Sequence, residues 1–225
     1  MASIYEQALG AEFRKLHPRI QERFGFGSRD RVASIGHGTM EQVWYAKWAV
    51  APLLLGATRH IMFPQGGRDI PFNIRNYAYV DSFGRETVTW LRAFRFPGAI
   101  RKFDATMIYS EKRSRIVDYL GSKQHLAVDL ELSAEPNGGL RIRSSDQRFY
   151  ERWLRFPFPR TLTGTADVCE WYDDEAGCFQ IRVQVVNPMA GPVFRYSGTF
   201  QAAFVSVAPH DIPLDAKPLR EEARE

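Results

Sequence analysis

The sequence predicts a mainly β protein of the α+β class: a strongly curved antiparallel β-meander or near-closed β-barrel of about eight or nine strands, with N-terminal helices packed on it. Three observations predict this. Near the start of the chain apolar residues recur every three to four positions, whereas from Ile70 onward they recur every second position for most of the remaining length. The connectors between the period-two runs are short and carry Gly, Pro, Asn or Asp, so neighbouring strands pair antiparallel, because a parallel pair needs a crossover of a dozen or more residues. Aromatic residues, which favour strands and line apolar pockets, make up 13% of the chain.

The elements follow in order. Tyr5, Leu9, Phe13 and Leu16 stand at helical spacing, so 4–16 reads as one amphipathic helix. Pro18 opens a second short helix over 18–24, which Gly25 and Gly27 end. A short strand is expected over 31–35, a helix bent near Pro52 over 40–58, and a loop over 63–69. Strands are then expected over 71–80, 86–96, 102–110, 115–120, 124–133, 140–143, 163–172, 179–186 and 193–204. Several alternate cleanly: Phe179, Ile181 and Val183 oppose Gln180, Arg182 and Gln184, and Leu126, Val128, Leu130 and Leu132 oppose His125, Ala127, Asp129 and Glu131. That many strands curl on themselves rather than stay open. The 225 residues form one domain on this reading, helical over 1–62 and antiparallel sheet over 70–205, with a polar tail, 206–225, that is frayed or a short exposed helix.

Composition narrows the function. Apolar residues at 44% and charged residues at 25% are ordinary for a globular protein. The net charge is +4, but Lys and Arg are spread among nearly as many acids, so no nucleic-acid partner is expected. The apolar run "WAVAPLLLGA" has about half the ~20 residues that cross a bilayer, so no transmembrane segment is expected. The start "MASIYEQALGAEF" lacks the features of a secretory signal, and a cytoplasmic location is expected. Cys169 and Cys178 flank the turn "DDEAG"; one hairpin register would oppose them and another would not, and a reducing compartment favours two free thiols. No metal site or cofactor is expected, since no CxxC or Cys/His grouping is present.

One stretch raises a chemical question. In "TVTWLRAFRF" the alternation puts Val88, Trp90, Arg92, Phe94 and Phe96 on one face, so Arg92 interrupts an apolar row. A barrel of about eight strands either fills its interior with side chains or holds one small apolar ligand. The concave face would carry Trp90, Phe94, Phe103, Met107, Tyr109 and Tyr196 around Arg92, a composition that suits a ligand pocket and a packed core alike. Arg92 then anchors an acidic head group, or pairs with Glu170, which falls among Ala166, Val168 and Tyr172 on the apolar face of its own strand.

Other candidates are less marked. Arg75, Tyr77, Tyr79 and Asp81 share one face of 73–81, as a solvated edge or as a site in which Asp81 is an acid or base. His37, in "GHG", is a general base or a loop residue. GxSxG, P-loop, GxGxxG, HExxH and paired-carboxylate motifs are absent, which removes the common enzyme classes. Three readings stand: a binder of a small amphipathic or lipid-like molecule, with or without an acidic head group, through Arg92, Trp90, Tyr109, Tyr196, Phe94 and Met107; a cofactor-independent isomerase, cyclase or decarboxylase drawing on Tyr77, Asp81, His37 and Glu170; and a protein interaction module.

The strings "LGAEFRKLHP", "YVDSFGRETVTWLRAF", "GLRIRSS", "LRFPFPR", "CEWYDDE" and "VQVVNPMAGPVFRYSGTF" together resemble the bacterial family called domain of unknown function 4166 (DUF4166), over about 5–204. The domain occurs alone or behind other modules, including dehydrogenase-like ones, which implies small-molecule metabolism or a membrane-lipid context. The resemblance brings no catalytic residues with it.

Overall fold

The computed structural model describes residues 2–151, 153–159 and 163–225. Ser3 starts helix α1 (Ile4–Leu9) through a reciprocal cap: its hydroxyl accepts from the Glu6 N–H, and the Glu6 carboxylate accepts from the Ser3 N–H. The single helix expected over 4–16 is two pieces, because Gly10 takes φ 54° and the chain tightens into a 3-10 turn over Gly10–Lys15. Helix α2 (Pro18–Phe24) begins at its proline as expected, with the His17 ring capping the Arg19 N–H. Tyr5, Leu9, Phe13, Leu16, Ile20 and Phe24 are all buried in the main core.

Eleven strands follow: β1 (Val32–Tyr45), β2 (Gly67–Val80), β3 (Glu86–Phe96), β4 (Ala99–Ser110), β5 (Arg115–Leu120), β6 (Leu126–Ala134), β7 (Leu140–Glu151), β8 (Leu154–Pro157), β9 (Thr165–Asp173), β10 (Cys178–Asn187) and β11 (Gly191–Ser206). Their order is β6-β5-β4-β3-β2-β1-β11-β10-β9-β7, and β7 pairs back onto β6. The result is a closed antiparallel barrel of ten strands with β8 appended to β7. Along one side of β7, Leu140–Arg143 pair with β9 while Arg148–Glu151 pair with β8, so the wall forks there.

One strand, β8, is absent from the sequence reading, and β1, expected only over 31–35, runs ten residues further. The residues expected to be helical from 40 onward are strand up to Tyr45, and helix α3 spans only Val50–Ala57. The physical reason lies in β1 itself. Ser34, Gly36, Gly38 and Met40 face inward, a bulge between Met40 and Gln42 shifts the register, and Val43 is the next buried side chain, so the alternation breaks midway. Gly38 also carries no side chain to read, yet a Cβ there would lie 2.0 Å from the Thr199 carbonyl oxygen of β11. The second miss, β8, is a four-residue strand with every residue exposed, and period-two patterning has nothing to mark there.

The barrel is apolar inside. Along β10, Phe179, Ile181 and Val183 are buried while Gln180, Arg182 and Gln184 point outward, the reverse of a barrel that meets lipid with its outer wall. Among the described residues no helix is long and apolar enough to cross a membrane. Cys169 faces Arg182 and Cys178 faces Asp173 across the β9–β10 pair, and both thiols are free.

The C-terminal segment is not the frayed or exposed tail that its composition predicts. It runs over the outer wall, held by hydrogen bonds from Leu219 N–H to Ser122 O (2.7 Å), Glu222 N–H to Gln124 Oε1 (2.6 Å), the Tyr119 hydroxyl to Arg224 O (2.9 Å) and the Tyr150 hydroxyl to Glu225 O (3.0 Å). Beneath it lie two outer clusters, Ile108, Val117, Tyr119, Ala127 and Tyr150 in one, and Ala33, Tyr77, Leu91 and Ala216 in the other. This covering explains why β3 is buried on both faces.

Inside the barrel, Arg23 of α2 forms an ion pair with Glu170 of β9, both side chains almost fully excluded from solvent, and Arg23 Nη1 donates to Ser34 Oγ at 2.7 Å. The pairing of Glu170 with Arg92 is therefore corrected: the helix brings a second arginine that the strand pattern could not place. Removing one member strands a buried charge, so Arg23→Ala costs ~3–5 kcal/mol in urea unfolding, while Arg23→Met combined with Glu170→Leu costs far less or nothing. Equal losses in the single and double variants would show that the pair is not what the helix needs.

A cavity inside the barrel

Ten strands enclose more space than their own side chains occupy. The helices α1 and α2 fill part of it, and a cavity of about 540 Å³ remains. Its walls are Trp90, Phe103, Met107, Leu120, Leu126, Val128, Leu130, Ile142, Ala166, Val168, Val183 and Val185 from the strands. One end is covered by Pro52, Leu53, Leu55 and Gly56 of α3 with Ile61 and Met62 just after it. Phe149, Gln147, Phe158 and Gly164 line it at the fork between β8 and β9.

The turn after α3 is fastened to the wall. The Asp104 N–H donates to His60 O at 2.8 Å, the Ser122 N–H donates to Arg59 O at 2.9 Å, and the His60 ring lies 2.6 Å from an Asp104 carboxylate oxygen. Gly121 permits this approach: it sits at φ 79°, and a Cβ there would come within 2.4 Å of the Arg59 carbonyl oxygen.

Four ionisable residues, Arg59, Arg92, Asp118 and His125, interrupt the apolar lining among the described residues, and Arg92 and Asp118 are the two that project from strands, β3 and β5. Arg92 lies face to face with Phe103, its guanidinium 3.8 Å from the ring centre, and donates through Nε to Phe103 O (3.0 Å) and through Nη1 to the Tyr196 hydroxyl (3.2 Å). Asp118 projects from β5, opposite Met107 of β4. Its Oδ1 is buried and has no hydrogen-bond partner among the described residues. Burial pushes the Asp118 carboxyl up to about 7, although the positive charge of Arg92 pulls it back without forming an ion pair. The other polar groups at the walls are engaged: Ser144 Oγ accepts from the Ala166 N–H, Gln147 Nε2 donates to Gly164 O, and His125 Nδ1 lies 2.8 Å from a Glu151 carboxylate oxygen.

The expected ligand residues separate into three groups. Arg92, Trp90, Met107 and Phe103 line the cavity. Phe94 and Tyr196 do not, being packed into an aromatic cluster with Phe63, Phe72 and Phe194, although the Tyr196 hydroxyl meets Arg92. Tyr109 stands apart, beside Gln7 and Arg85 in an outer groove.

The expected acids and bases are not brought together. Tyr77 lies on the outer wall beneath the C-terminal segment, and His37 is exposed on β1 with its Nδ1 3.2 Å from Asn73 Oδ1. Asp81 closes the β2–β3 turn, accepting from the Phe83 and Arg85 N–H groups and pairing with the Arg85 guanidinium at 2.7 Å. Glu170 belongs to Arg23. Asp118 is the group the sequence reading missed, and its signal was of the same kind as that of Arg92: Ile116, Asp118 and Leu120 share one face of β5.

The fold and its interior define a closed antiparallel β-barrel protein, plugged by helices, with a mostly apolar cavity lined by the Arg92 guanidinium and by an Asp118 carboxyl whose Oδ1 has no hydrogen-bond partner among the described residues. The chain belongs to the family described as Domain of unknown function (DUF4166), which it matches over residues 16–200. It is 38% identical over 202 residues to the uncharacterized protein YndH of Bacillus subtilis (strain 168), an alignment that covers 89% of this chain and 97% of that one. No solved structure matches the chain.

The raised carboxyl makes a signed prediction. Between about pH 4 and about pH 7 the folded protein keeps a proton on Asp118 that the unfolded chain has released, so stability falls as pH rises through that window. Asp118→Asn removes this loss. Chemical unfolding should find the variant and the wild type equally stable near pH 4 and the variant more stable by up to ~4 kcal/mol at about pH 8.

Proposed function

We propose that this protein binds a small amphipathic or lipid-like molecule in the barrel cavity. The observation that carries the reading is a mostly apolar cavity of about 540 Å³ whose lining holds a buried Arg92 and an Asp118 with a bare carboxyl oxygen. The volume lies within the usual range for ligand sites, and such sites combine apolar walls with a few polar anchors. Desolvated polar groups left unpaired cost free energy, and a ligand head group that satisfies them recovers it. An acidic head group would accept from the Arg92 guanidinium, with protonated Asp118 donating a second hydrogen bond. The free thiols of Cys169 and Cys178 suit a reducing cytoplasm as the place where this happens.

The test begins with native mass spectrometry of the purified protein, which should show a bound amphiphile. After its removal, a dansylated fatty acid should bind, Arg92→Met should weaken that binding by about tenfold or more, and affinity should fall as pH rises through about 7 because ionised Asp118 repels the anion. A cavity that takes up neither a native molecule nor the probe would end the proposal.

A second reading is favoured by the same carboxyl. A group that titrates near neutrality within an apolar cavity is suited to move a proton, and Arg92 is placed in the same cavity to hold a developing anion. Cofactor-independent acid–base chemistry, as in an isomerase, cyclase or decarboxylase, would then centre on Asp118. In that case Asp118→Asn keeps the co-purified molecule bound but slows its turnover by about a hundredfold or more, read by mass spectrometry of substrate and product. Conversion at the wild-type rate by the variant would remove this reading and leave the binding one.

A further inference from the structure

The rim of the cavity is apolar on its outer side as well as its inner one. Helix α3 covers one end of the cavity with Leu55, which is nonetheless 61% exposed, and Trp48 and Leu54 stand beside it at 54% and 53%. At the fork, Phe149 and Phe158 line the cavity, and the exposed ring of Phe156 packs against both at 5.2 and 5.8 Å. Leu154 and Trp153 extend this strip outward, Trp153 at 88% exposed. Large aromatic and aliphatic side chains facing water on two segments that border one cavity mark an interaction surface rather than scattered surface apolars.

Charge identifies the partner. Residues 42–68, which contain α3, and residues 152–166, which contain β8, include no Asp or Glu; all their charged residues are basic, Lys47, Arg59 and Arg155 among them. Elsewhere the chain mixes both signs closely, with 24 Lys and Arg against 26 Asp and Glu. An apolar rim on two segments whose own charged residues are all basic complements an anionic bilayer, where Trp and Leu enter the headgroup boundary and Lys and Arg meet the phosphates; Arg155 itself turns away, into the outer groove beside Glu111 and Glu225.

We infer that the protein docks on anionic phospholipid membranes through α3 and β8, with the cavity end covered by α3 turned toward the lipid. Docking places the cavity next to a reservoir of amphiphiles without committing the chain to crossing the bilayer. It requires only the surface, so it stands or falls separately from what the cavity holds.

Flotation with vesicles of phosphatidylcholine and phosphatidylglycerol, against phosphatidylcholine alone, tests it. The wild type should float with the anionic vesicles, with a blue shift of tryptophan fluorescence. Leu54→Ser with Trp153→Ala, neither of which lines the cavity, should lower partitioning by about tenfold or more, and Lys47→Gln by about fivefold. Circular dichroism and dansylated fatty acid binding should stay as in the wild type, which separates a lost surface from a lost fold or cavity. Wild-type protein that stays behind with both vesicle types, or a Leu54→Ser/Trp153→Ala variant that floats as the wild type does, overturns the inference. So does sedimentation showing a wild-type dimer that those two substitutions dissolve, because the patch would then belong to a second copy of the chain.

Discussion

The pairing of β6 with β7 is the constraint on which the rest depends. It joins the two ends of a meander into a ring of ten strands, and a ring of that number encloses more than its inward side chains can occupy. Helices α1 and α2 take up the first share of that volume, with Tyr5 donating to the Met107 sulfur and accepting from the Trp90 indole at 2.8 Å. What they leave is the cavity, and α3 covers one end of it. Among the described residues closure pairs the two end strands of the meander with each other, so the interior can be apolar without offering those strands to another chain.

Charges within the ring divide by how they are answered. Arg23 and Glu170 answer each other, and Ser34 takes a further guanidinium hydrogen, which makes the pair part of how α2 is seated. Arg92 is satisfied on one side by Phe103 and Tyr196, but it also faces the cavity. Asp118 has a bare oxygen there and keeps its proton to near neutrality. A carboxyl retained in that condition costs stability, and its position next to empty space supplies the reason to connect it with a ligand or a reaction. The difference between the two acids is not burial but partnership.

The outside of the barrel is equally divided. The C-terminal segment lies over the outer wall and covers two apolar clusters, drawn from β1 to β7. On the side of α3 and β8, apolar residues stay in water beside basic ones. Covering one apolar face and leaving another open produces a protein with a direction, and the open face coincides with the rim of the cavity.

How much of this was legible depends on whether a feature is local. Period-two alternation, short polar turns and the prolines and glycines at element ends are local, and they placed nine strands, the antiparallel pairing, α2 and the inward face that carries Arg92. The same alternation would have marked Asp118, since it rests on Ile116 and Leu120 alone. Features without a local trace were missed: the continuation of β1 past residue 35, where a bulge and inward glycines erase the period; β8, which is exposed throughout; and a charged tail held by bonds to residues distant in sequence. Thus the chain by itself determined the inward face of the strands whose alternation is unbroken. Only the tertiary structure decided that Glu170 meets Arg23 rather than Arg92, that Tyr77, Asp81 and His37 stay apart, and that a hollow survives between helices and wall, because contacts between residues a hundred positions apart follow from how the ring closes, and a single strand carries no record of that.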